Sequence, residues 1–192
     1  MKKLVQMLLV VCMVVLGAQV ALAASDKETI QEGADLASIH RLAIGLPKYV
    51  PVAEKPPTKE EVAQAIADAS KVARSYVISY DAAAEGIRGD KGIDIKALDR
   101  RKAETEFKNG IAKIADAYVV MTVANNTGIT CFFDIYKAGT NELLYTYQVV
   151  GKRYEKDSVS TYKSLSEEFF KHFEKAAEEQ QKKNAREAKK KK

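Results

Sequence analysis

The sequence predicts an α/β protein built on one mixed sheet, with helices packed on its faces. Three observations carry that prediction. Strand-length apolar runs alternate with helix-period segments in the first half. Three strand-like runs then follow one another across short turns. An aromatic stripe at helical spacing comes last. Helices between the early strands imply crossover connections, and short turns between the later ones imply an antiparallel meander. Combined on one sheet, these give the expected order strand, helix, strand, helix, three-strand meander, helix. With 192 residues and 46% hydrophobic content, the chain can bury a core without disulfide or metal staples. The same content excludes wholesale disorder.

Arg41-Leu42-Ala43-Ile44-Gly45-Leu46, ended by Pro47, reads as the first strand, and the three prolines in 49–57 make a loop. Thr58-Lys59-Glu60-Glu61 has the form of a capping box. Val62, Ala65, Ile66, Ala69, Val72 and Ala73 follow at helical spacing. The β-branched and aromatic run 75–80 is the second strand, and 81–92, rich in Ala and Gly, is a small helix or loop. A long helix is expected over about 94–115, with Leu98, Phe107, Ile111 and Ile114 on one face. Residues 118–123 are almost wholly apolar, as a strand buried on both faces would be. After the turn at 125–128, residues 129–137 alternate, and 143–150 forms the last strand beyond Gly139-Thr140-Asn141. From about Ser158 a helix lines up Tyr162, Leu165, Phe169 and Phe173.

The amino terminus reads as an address. Lys2 and Lys3 precede an apolar stretch from Leu4 to Leu16, and Ala21-Leu22-Ala23 puts small residues at −3 and −1 of a cleavage site. This is the layout of a secretory signal over 1–23, cleaved after about Ala23, which implies export to a bacterial periplasm or cell envelope. The competing reading keeps 4–24 as a membrane anchor. Cys12 lacks the small preceding residue and the completed apolar core of a lipobox. The expected organisation is therefore a signal over 1–23, a flexible lead-in over 24–37, one α/β domain over 38–177 and a basic polar tail over 178–192.

Several phrases resemble those of small bacterial envelope α/β domains. They are His40-Arg41-Leu42-Ala43-Ile44-Gly45 before a Pro-containing loop, Ala115-Asp116-Ala117-Tyr118-Val119-Val120, and the hairpin from Phe132 to Tyr145. The group includes the amino-terminal domain of TolB, the curli-secretion lipoprotein CsgG and the penicillin-binding-protein activator LpoB. The resemblance spans about 38–175. It implies a non-catalytic protein that acts by protein–protein contact in the envelope. It carries no functional residue over, because no site motif matches.

Candidate chemistry is sparse. Ile87-Arg88-Gly89-Asp90-Lys91-Gly92-Ile93 contains Gly-x-x-Gly, which is similar to the KH loop that clamps single-stranded nucleic acid. A loop with Gly89, Lys91 and Gly92 opening a helix would also cradle an anion; the plain alternative is a connection whose glycines permit positive φ. Asp81, Glu85, Asp90 and Asp94 gather after the second strand, as an acid–base or cation-binding pair would, or as helix caps. His40 and His172 stand far apart without spaced metal partners, and Cys131 reads as a small buried hydrophobe. The tyrosines of the second half, Tyr145 and Tyr147 among them, read either as an aromatic contact surface or as core beneath the last helix.

Charge is concentrated at the end. Residues 182–192 read KKNAREAKKKK, so Lys182, Lys183, Arg186, Lys189, Lys190, Lys191 and Lys192 face a single Glu. The tail thus holds +6 and the leader +2, which leaves 24–181 at −3 within the total of +5. A body of that charge does not favour a nucleic-acid partner. The tail suits anionic lipid or polymer surfaces, or simply complements a helix dipole. The sequence therefore predicts an exported, non-enzymatic, cofactor-free accessory or assembly factor with an envelope protein partner. The alternatives are an exported hydrolase working through Asp81 and Asp94 and a KH-type binder working through Gly89–Gly92.

Overall fold

A computed structural model describes residues 26–125, 128–152 and 155–190. The signal over 1–23, Cys12, Tyr154, Lys191 and Lys192 lie outside the described residues. In chain order the elements are β1 (Lys27–Ile30), β2 (Arg41–Ile44), α1 (Lys59–Ala69), β3 (Tyr76–Ile78), α2 (Tyr80–Lys91) and α3 (Arg100–Gly110). They continue with β4 (Ala117–Asn125), β5 (Ile129–Lys137), β6 (Leu143–Val150) and α4 (Val159–Lys190). The strands form one sheet in the order β1-β6-β5-β4-β2-β3. β2 runs parallel to both β3 and β4, while β4, β5, β6 and β1 pair antiparallel. This is the mixed α/β sheet that the element order predicts.

Local chemistry sets the helix ends. Thr58 Oγ1 accepts from Glu61 N–H while Glu61 accepts from Thr58 N–H, completing the capping box of α1. Ser79 caps α2, and Gly92 closes it at φ 70°, a left-handed conformation that disfavours a Cβ. The helix expected over 94–115 is interrupted at its start. Asp94 accepts from Lys96 N–H and caps only the 3₁₀ turn Ile95–Ala97. Leu98 is then extended, and Asp99 accepts from Lys102 N–H to begin α3. Two competing N-caps five residues apart split the segment. Gly110 lets α3 approach α2, because a Cβ there would stand 2.8 Å from Ile87 Cγ1.

The expected flexible lead-in over 24–37 is corrected. Lys27–Ile30 pairs with β6 as an edge strand, in register Glu28 with Tyr147. All four of its residues are exposed, so it has none of the apolar alternation that announces a strand. Farther on, Leu36 is fully buried. The expected start of the tail at 178 also moves outward, because α4 runs unbroken from Val159 to Lys190 and stays docked as far as Gln180. The Gln180 amide accepts from Leu36 and Ala37 N–H and donates to the Ala34 carbonyl.

α1 and α4 cover one face of the sheet, and α2 and α3 cover the β2–β4 part of the other. Phe169 stacks on Phe133 at 4.5 Å, and Phe173 meets Tyr145 edge-on at 5.8 Å. Tyr145 and Tyr147 are therefore core beneath the last helix. Phe132 and Tyr136 alternate onto the opposite face and are half-buried. Among the described residues no helix is long and apolar enough to cross a membrane.

Candidate functional site: a projecting cationic helix end

α4 changes character along its length. Its last buried residue is Ala176 and its last clamp to the body is Gln180, whereas every residue over 181–190 is exposed. At 1.5 Å per residue, 182–190 projects by about 14 Å. At 100° per residue, Lys182, Lys183, Arg186, Lys189 and Lys190 fall within an arc of about 120°, centred roughly 140° from the direction of Phe173. The stripe thus points away from the core.

Its near end is tied down. Lys182 Nζ pairs with Glu178 at 2.6 Å, and Glu178 also meets Arg74 at 3.3 Å. The Lys182 hydrogen bond, with both cations adding, holds the Glu178 carboxyl below the usual carboxylate range. Farther out, Lys183, Arg186, Lys189 and Lys190 make no ion pair among the described residues. Glu187 is the one acid on this outer segment. The arrangement is a projecting helix end with a cationic edge, able to attract anions without disturbing the fold.

The inner half of α4 works as a strut. Glu174 Oε1 accepts from Arg74 N–H, Ser75 N–H and Ser75 O–H, fixing the approach to β3. Just before the helix, Asp157 accepts from the hydroxyls of Tyr49 (2.8 Å) and Tyr162 (2.7 Å) and from Val52 and Ala53 N–H. Burial raises the Asp157 pKa, but these four donors outweigh it and hold the carboxyl below its ordinary value. This pins the Pro-rich loop to α4. Asp116 does the same for β2 by accepting from His40 and Arg41 N–H.

The other candidate residues are not brought together. Gly89 and Lys91 lie within the last turn of α2, and Gly92 is its cap, so no Gly-x-x-Gly loop protrudes between helices. Lys91 Nζ instead meets Glu106 at 3.6 Å across the α2–α3 contact. Asp81 pairs with Lys96 Nζ at 2.6 Å and Asp94 receives Lys96 N–H, so both carboxylates are spent on local structure. His40 sits exposed before β2, whereas His172 stacks on Tyr147 at 4.6 Å beside Glu28. Among the described residues no three His, Cys, Asp or Glu converge as metal ligands. Burial pushes the Cys131 thiol up to about 12, which leaves it a core side chain.

No protein-family model matches the chain, and no curated protein matches it. Among solved structures it is similar to a PelC dodecamer subunit from Paraburkholderia phytofirmans, at 10% identity and a TM-score of 0.40, covering 78% of this chain and 98% of that one. It is also similar to the LpoB C-terminal domain from Escherichia coli, at 11% identity and a TM-score of 0.42, covering 62% of this chain and 87% of that one. LpoB is one of the envelope group that the strand phrases resemble. Neither likeness assigns a residue of this chain to a site.

Proposed function

We propose that the protein is a non-enzymatic accessory or assembly factor of the bacterial cell envelope, exported by residues 1–23. Its body binds protein partners, and the end of α4 docks on an anionic surface. The observation that carries this reading is the projecting helix end, with its unpaired cations on one edge. Dipole complementation alone would not need that many cations, since the dipole acts within the last turn. The leader's layout and the resemblance of the strand phrases supply the compartment.

The test is co-sedimentation with phosphatidylglycerol vesicles at low salt. Each Lys or Arg near an anionic surface is worth about 1 kcal/mol, so the triple variant K183E/R186E/K190E should bind at least about a hundredfold more weakly. Phosphatidylcholine vesicles should bind neither form, and raised salt should weaken wild-type binding. Equal binding by wild type and triple variant overturns the proposal.

A further inference from the structure

We propose that the groove between the loop leaving β2 and the start of α3 docks an extended acidic segment of a protein partner, anchored by one aliphatic side chain. The inference rests on reading the body as a binding module and names the partner's chemistry. β2 ends at Ile44 and β3 at Ile78, so Leu46 and Tyr80 stand at the carboxyl ends of parallel neighbours. In open α/β sheets that edge is where ligands sit.

The floor is apolar and rigid. Phe107 stacks on Tyr80 with ring centres 6.1 Å apart and meets Tyr118 edge-on at 5.7 Å. Leu46 and Ala103 complete the floor. The enclosed space is about 40 Å³, which suits the tip of one aliphatic side chain rather than a metabolite. Through Leu46, Tyr80, Arg100 and Ala103 it continues into a shallower depression of about 280 Å³ bordered by Lys59 and Lys96.

The rim is cationic. Lys48 and Lys108 share Glu104, at 3.8 and 2.7 Å, and Lys96 is held by Asp81. Lys59 and Arg100 make no ion pair among the described residues. Among the described residues, Glu60 and Glu104 are the acids that line the groove. Within it, the Tyr80 ring is buried, while its hydroxyl makes no hydrogen bond among the described residues and is accessible from the groove. A hydroxyl that opens into the groove and makes no bond to the body can donate to an incoming acceptor. Burial first, and Glu60 second, raise the pKa of Tyr80, so at neutral pH it is a donor. A backbone carbonyl of the bound segment supplies the acceptor, and flanking carboxylates meet Arg100 and Lys59. Charge complementarity selects an acidic segment although the body as a whole is mildly acidic.

The test is an amide-resolved NMR titration of the ¹⁵N-labelled protein with three capped heptapeptides. The first has the sequence Asp-Glu-Asp-Leu-Asp-Glu-Asp; the second has Ser for Leu, and the third has Lys for every acid. The first should give saturable shifts at Leu46, Tyr80, Arg100 and Ala103, and the second should bind about tenfold more weakly for want of the buried side chain. The third should leave these amides unmoved. Arg100→Glu places an acid in the first turn of α3, which suits the helix, and should weaken the first peptide about tenfold. Tyr80→Phe should weaken it about threefold and leave vesicle binding unchanged. Absence of saturable shifts at these amides, equal response to the Leu and Ser peptides, or shifts confined to 182–190 overturns the proposal. The vesicle experiment reads α4 alone, so the two readings fail separately.

Discussion

The inner and outer halves of α4 share one helix and almost nothing else. Over 159–180 the helix buries Tyr162, Leu165, Phe169, Phe170 and Phe173, and its polar residues Glu174 and Gln180 satisfy backbone groups of other segments. Over 182–190 every residue is exposed, and its cations line one edge. Backbone hydrogen bonding within a helix does not depend on neighbours, so the element continues where packing stops. The inner half stabilises the body and the outer half is free to act. Substitutions in the two halves should therefore separate stability from surface binding.

The largest effect should come from Phe169→Ala. Phe169 is fully buried against Phe133, Phe170 and Phe173. Emptying its site should cost about 3–5 kcal/mol, read as a fall in the urea midpoint at unchanged m-value. Next is Asp157→Asn, which weakens an acceptor serving four donors and should cost about 2 kcal/mol at neutral pH. Its pH dependence has a definite sign. Because the folded-state pKa is lowered, the contribution of Asp157 is present above the usual carboxylate value of about 3.9 and disappears as pH falls through the still lower folded value. The stability gap between wild type and D157N should therefore narrow in acid.

Gln180→Ala marks the boundary between the halves. It removes the clamp on 34–37 and should cost about 1 kcal/mol, with faster hydrogen exchange at the Leu36 and Ala37 amides. The smallest effect on stability belongs to deletion of residues 182–192. It should shift unfolding by no more than about 0.5 kcal/mol while removing vesicle binding. A large loss of stability on that deletion would erase the distinction between the halves.

Much of the architecture was legible because its signals are local. The capping box at Thr58 and Glu61, the alternation through β5 and the aromatic stripe of α4 each report on neighbours in sequence. β1 was not legible, since a four-residue edge strand with every side chain exposed shows no periodicity. By sequence Asp94 and Asp99 are equally good caps for one long helix, and only the extended Leu98 between them separates the turn from the helix. The glycines of 89–92 looked like a loop. Inside α2, however, Gly89 costs only helix propensity, while Gly92 is placed by its positive φ. For the candidate site, the cationic run was plain in the sequence. Its restriction to one edge, and the absence of ion pairs beyond Lys182 among the described residues, follow from the helix and its exit from the body.

The sequence alone determined the α/β class and the separation of a mildly acidic body from a cationic end, since composition and short-range periodicity encode both. Only the tertiary structure decided that Gln180 rather than residue 177 ends the docked helix. It also decided that β1 completes the sheet and that Leu46, Tyr80, Phe107 and Arg100 share one groove. These are meetings of residues tens of positions apart. They depend on the direction in which each element packs, which no local pattern of side chains records.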